Sequence, residues 1–218
     1  MPKILISLFM LCMLLCWLLP AQASQDLSQI LEENYQNMKD FQADFEQELT
    51  NASSGEVENR KGRIKFSRPD LLRLETVEPE KELLLLDGEF VWQYFALDKV
   101  AYKYSLEDKV ESETLLKLLT GDVDPGQEFL LQSQEELDNG LLKAVLEPKD
   151  PEPELVRATI WLDQELGFIR KLILQDFFGN KNQIELSNLD LNVGLDADEF
   201  EFSPDEEVEI MDNTQEAN

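Results

Sequence analysis

The chain contains no histidine, and its two cysteines, Cys12 and Cys16, both lie near its start. Histidine is the commonest general base near neutral pH and the commonest transition-metal ligand. Serine-histidine triads and zinc centres are therefore excluded. What remains for acid and base work is the 46 aspartates and glutamates. Two carboxylates can cleave a glycosidic bond, but so many acids create chance pairs everywhere and spacing singles out none. Asp122-Val123-Asp124-Pro125-Gly126 begins like a calcium loop, yet the third acid and the closing glutamate are out of register, and it reads as a solvated turn. No catalytic residue, metal or cofactor is expected. The unusual chemistry is apolar. Residues 83–95, LLLLDGEFVWQYF, form two strands around Asp87-Gly88. Successive strand residues point to opposite faces, so Leu84 and Leu86 share one face and Leu83 and Leu85 the other. Phe90, Trp92 and Tyr94 lie on one side of the second strand, Val91 and Phe95 opposite. Both faces of this hairpin need a cover.

The segments that position this hairpin begin after a leader. Lys3 supplies a positive start, Ile4 to Leu19 is nearly unbroken apolar sequence, and Ala21-Gln22-Ala23 has small residues at the cleavage positions. This is a secretory signal, 1–23, cleaved after Ala23. No later stretch reaches the ~18 apolar residues of a membrane span. Neither cysteine follows a small residue, so no lipid-attachment box is read, and the mature chain needs no disulfides. One domain is expected over 24–213, with a disordered tail at 214–218. The formal net charge is -27, which excludes nucleic acid as a partner because phosphate contacts need a basic surface.

The mature chain opens with a helix whose apolar stripe is Leu27, Ile30, Leu31, Tyr35 and Met38, spaced three and four apart. The period then changes to two at Phe41, Ala43 and Phe45. Short strands follow with turn signals between them, in LLKAVLE, LVRATIWL, FIRKLILQD and NQIELSNLDL, and Phe200 and Phe202 close the series. This predicts an antiparallel sheet that curls toward a barrel or sandwich. Glu113 to Leu119 interrupts it as a short helix carrying Leu115, Leu116, Leu118 and Leu119, stopped by Gly121. A curved sheet that holds a ligand under its helices and a sandwich with a filled core both satisfy this pattern.

Several pieces in order resemble one family. They are Phe41-Gln42-Ala43-Asp44-Phe45-Glu46-Gln47, then Gly62 and Phe66 to Arg68-Pro69, and the run from Pro79 through Asp87-Gly88 to Trp92 and Tyr94. Asp176 with Gly179-Asn180 follows, and Phe200, Phe202 and Pro204 end the set. Taken together they resemble the LolA family of periplasmic outer-membrane lipoprotein carriers. The resemblance implies a mainly β fold, an incomplete antiparallel β-barrel with an α-helical lid over an apolar cavity. It implies no enzyme but a monomeric periplasmic chaperone. Its partners would be triacylated lipoproteins, an inner-membrane ABC transporter of the LolCDE type and an outer-membrane acceptor of the LolB type. By the same resemblance Arg68 latches the lid, Phe45, Leu72, Leu74, Leu84 and Trp92 line the acyl-chain cavity, and Leu115, Leu116, Leu118 and Leu119 form the lid. A plain core role competes for Trp92. The rival function is a periplasmic sensor module that recognises a lipid or lipoprotein without shuttling it.

Overall fold

The computed structural model describes residues 27, 31, 35–106, 113–123 and 125–214; the leader, Ile30 and residues 215–218 lie outside these. Among the described residues twelve strands form one sheet: β1 (Asp40–Thr50), β2 (Val57–Ser67), β3 (Leu71–Glu78), β4 (Glu82–Asp87), β5 (Phe90–Phe95), β6 (Val100–Ser105), β7 (Phe129–Glu136), β8 (Leu141–Pro148), β9 (Arg157–Asp163), β10 (Phe168–Gln175), β11 (Lys181–Leu191) and β12 (Glu209–Asp212). Helices α1 (Glu113–Thr120) and α2 (Pro125–Glu128) lie between β6 and β7. Residues 27, 31 and 35–37 are helical as well.

The strand order is β12-β6-β5-β4-β3-β2-β1-β11-β10-β9-β8-β7. Ladders are antiparallel throughout except for β12, which runs parallel to β6. The two outermost strands do not pair, so the barrel stays open. Strand twist curls any such sheet, and register shifts sharpen the bend at Gln42/Asp44, Lys61/Gly62 and Ile169/Lys171 because a bulged strand kinks. At the second of these Gly62 is obligatory: a Cβ there would lie 1.8 Å from the Glu75 carbonyl oxygen and 2.8 Å from the Phe45 ring.

The inner face of the sheet is apolar. Phe41, Ala43 and Phe45 of β1, Ile64 and Phe66 of β2, and Ile160 and Leu162 of β9 are buried in one cluster. That cluster also holds Leu27, Leu31, Tyr35 and Met38 of the N-terminal helical segment and all four leucines of α1. The apolar stripe and the interrupting helix therefore cover the same concave surface. Each leucine so buried contributes about 1.5–3 kcal/mol.

The two-faced hairpin is β4 and β5, and each face meets a different cover. Pairing of Leu84 with Leu74 and of Leu86 with Leu72 puts these four residues on the inner face. Leu83 and Leu85 pair with Tyr94 and Trp92 and belong to a separate outer cluster with Phe200, Phe202 and Leu195. Phe200 and Phe202, expected as a last strand, instead lie in a 3-10 turn (Ala197–Phe200) and the extended chain after it. Two strands were not foreseen. β7 carries exposed Leu130 and Leu131 at the sheet's edge, and β12 is exposed along its whole length, so neither has the alternation that marks a half-buried strand.

The outer strap needs its own fastening. The Asp40 carboxylate, buried at the start of β1, accepts the backbone N–H groups of Val193 at 2.7 Å and Gly194 at 3.2 and 3.1 Å. These bonds turn the chain after β11 toward the outer face. Arg73 then donates to the carbonyls of Glu199 at 3.4 Å and Glu201 at 3.3 Å, and Lys65 pairs with the Glu199 carboxylate. That pairing holds the Glu199 carboxyl below its ordinary range, chiefly through the hydrogen bond from Lys65.

Candidate functional site

Arg68 follows β2 directly, at the end of the sheet where both helical covers terminate. Its guanidinium donates from Nε to the Met38 carbonyl at 2.9 Å. From Nη2 it donates to the Tyr35 carbonyl at 3.1 Å and the Thr120 carbonyl at 3.0 Å. Nη1 reaches Asp122 Oδ1 at 3.5 Å. One planar fork thus joins the end of the N-terminal helical segment, the last residue of α1 and the sheet. A guanidinium suits this because its five donors sit in a fixed geometry. Helices expose unpaired carbonyls and partial negative charge at their C-termini, so a cation is favoured here. Asp122 accepts the Thr120 hydroxyl at 2.7 Å, so its side chain ties into this cluster.

Tyr35 and Gly121 complete the junction. The Tyr35 ring stacks on Phe168 with centroids 5.1 Å apart, and its hydroxyl accepts the Ile169 N–H at 3.4 Å. Burial pushes the phenol above its ordinary value of 10.0, against the lowering effects of the Ile169 N–H and then of the Arg68 charge. Gly121 adopts φ +77° directly against this ring, and a Cβ would come within 2.1 Å of it. Nothing in the sequence separates Gly121 from an ordinary helix stop, nor Asp40 from 45 other acids.

The expected cavity residues divide. Leu72 lies with Phe66, Leu86, Val91 and Leu116 around a cleft of about 180 Å3 beside Arg68's end of the sheet. Leu74 and Leu84 lie with Leu115 and Ile184 around a second cleft of about 220 Å3. Phe45 is buried in the floor between the covers and the sheet. Trp92 is on the wrong side for a cavity residue. It packs on Phe202 at 5.3 Å and donates to Asp87 Oδ2 at 2.8 Å, on the outer face. Both faces of its strand are apolar, so composition alone did not tell them apart. Leu115, Leu116, Leu118 and Leu119 are all buried, and α1 contributes a leucine to each cleft. Both clefts fall below the ~300–1,000 Å3 of an ordinary ligand pocket.

A family model described as "Outer membrane lipoprotein carrier protein LolA" matches residues 36–203. An outer-membrane lipoprotein carrier protein of Nitrosomonas europaea is 26% identical over 205 residues, covering 94% of this chain and 97% of that one. A protein of the same name in Erwinia tasmaniensis is 24% identical over 216 residues, covering 99% of this chain and 100% of its own. Among solved structures, an uncharacterised conserved protein from Thermus thermophilus has the same fold, with a TM-score of 0.57 at 13% identity, covering 88% of this chain and all 100% of that one. The stretch matched by the family model runs from the end of the first helical cover to the outer strap, most of the chain, and by that match the chain belongs to the LolA family of outer membrane lipoprotein carrier proteins.

Proposed function

We propose that this protein is a periplasmic lipoprotein carrier that shields acyl chains on the concave face of its open barrel. It receives cargo from an inner-membrane ABC transporter of the LolCDE type and yields it to an outer-membrane acceptor of the LolB type. The observation that carries this reading is the lid: an eight-residue helix rich in buried leucine, fastened at its end by the side chain of Arg68. Exposing acyl chains to water costs about 0.8 kcal/mol per methylene, so transit needs an apolar enclosure. The two clefts beside α1 are small, and movement of that helix would merge them and free the surface its leucines cover. Acyl chains would then replace the leucines, and their departure would let the Arg68 fork close again.

Native mass spectrometry of the secreted protein, incubated without detergent with a triacylated lipoprotein, tests this. The expected result is a one-to-one complex that is lost when the acyl groups are removed. A protein that takes up neither lipoprotein nor lipid has a filled core, and the carrier reading falls.

A further inference from the structure

The cleft around Leu74 and Leu84 contains two hydrogen-bonding side chains that the fold leaves unused. Thr76 is only 7% exposed and faces this cleft, as does half-buried Gln93. Among the described residues neither side chain makes a hydrogen bond, and neither is sealed from the cleft space. Gln47, Arg60 and Glu82 at the rim are already committed. Gln47 Nε2 donates to Asn182 Oδ1 at 2.8 Å. Arg60 pairs with Glu58 at 2.6 Å and with Glu82 at 3.2 Å, so this triplet carries a net negative charge.

A ligand made only of methylenes would strip water from Thr76 and Gln93 and leave both without partners, which is costly. A carbonyl group satisfies them, because a hydroxyl and an amide NH2 both donate. An anionic group would sit beside Glu82, whose arginine is already shared between two carboxylates. We propose that this cleft is the subsite for the uncharged linkage of an acylated lipid, its ester carbonyls held by the Thr76 hydroxyl and the Gln93 amide, and that the Arg60–Glu58–Glu82 triplet rejects anionic headgroups. From there an acyl chain follows one face of the sheet, past the Leu74–Leu84 pair to the Leu72–Leu86 pair and the cleft beside Arg68. The proposal rests on the carrier reading and adds to it a basis for choosing lipoproteins over phospholipids.

The test compares two synthetic lipopeptides bound to the full secreted chain. One is an S-[2,3-bis(palmitoyloxy)propyl]-N-palmitoyl-cysteinyl peptide, and the other is its counterpart with ether links in place of the two esters. The wild type is expected to bind the ester form roughly two- to tenfold more tightly per bond lost. Thr76→Val and Gln93→Leu should each shrink that preference and leave affinity for the ether form unchanged or higher. Palmitoyl lysophosphatidylglycerol should displace neither lipopeptide at matched concentration. Equal binding of both lipopeptides by the wild type overturns the ester subsite, as does a preference that survives both substitutions. Displacement by the anionic lipid overturns the charge rejection. A wild type that binds neither lipopeptide overturns the carrier reading itself.

Discussion

Arg68 joins at one residue the ends of both helical covers and the sheet. Its substitution by leucine leaves the carbonyls of Tyr35, Met38 and Thr120 without their donor, so the closed lid loses stability while the apolar face is untouched. Bonds from a charged donor contribute about 1.5–3 kcal/mol each before water replaces them at this half-exposed site. Arg68→Leu is therefore expected to hold lipoprotein about tenfold more tightly or better and to deliver less of it, because reclosure no longer drives release; cargo retention against an acceptor-transfer assay reads both. A carrier that binds and delivers at wild-type rates would remove the latch from the mechanism. Gly62→Ala has a different outcome. Its Cβ meets the Glu75 backbone, which cannot move without breaking the β2–β3 ladder, and a loss of about 3 kcal/mol or more is expected in denaturant unfolding. At this scale the sequence was only partly legible. Arg68 stood out through its motif neighbours Phe66 and Pro69, whereas Asp40 and Gly121 have roles that depend on atoms far along the chain, or on a ring across a gap.

At the scale of elements, the two faces of the β4–β5 hairpin pack in separate clusters and carry different predictions. Phe202 packs on Trp92 at 5.3 Å and Tyr94 at 5.5 Å, on the side away from the Leu72 and Leu74 face. Phe202→Ala should destabilise the fold by about 3 kcal/mol and leave cargo affinity unchanged, as measured by thermal melting beside lipopeptide titration. A matching fall in affinity would mean that the strap and the concave face are coupled. Helix α1 has the opposite character. It is short, and a helix of this length has little stability of its own, so its amides are expected to exchange with deuterium well before those of central strands β1, β2 and β11. Exchange of α1 as slow as the sheet's would rule out easy opening. The helix itself was plain in the sequence from its four leucines, and so were most strands, from their alternation. β7 and β12 were missed because edge strands with exposed side chains have no buried face to write a period into the sequence.

The whole molecule responds to pH and salt through its charge. Tyr35 is held neutral by burial, so its folded pKa lies above 10.0. That contribution is complete below 10.0, where the phenol stays protonated in both states. Above pH 10 the unfolded chain ionises first and is favoured, so stability falls as pH rises past 10; the alkaline fall in melting temperature should be smaller in Tyr35→Phe. The Glu199 carboxyl is shifted the other way. Its contribution is present above 4.5 and fades as pH falls through the lower folded value, loosening the outer strap first. A net charge of -27 repels itself at low ionic strength, and 0.1 M salt screens charges more than about 10 Å apart. Raising salt from low to moderate should therefore raise the melting temperature by about 2–4 °C for each kcal/mol regained, and a flat response would mean that local ion pairs already balance the surface.

The sequence alone determined the β-rich architecture, the two apolar helical covers and the family. These follow from composition, periodicity and ordered short motifs, all of them local along the chain. Only the tertiary structure decided which face of the hairpin is the inner one, what covers the outer one, and which polar groups remain unpaired in the cleft. Those depend on register and on contacts such as Asp40 with Gly194 and Trp92 with Phe202, between segments more than a hundred residues apart. A period of two says that a strand has two faces, and only the partner brought against each face says which one is the inner face.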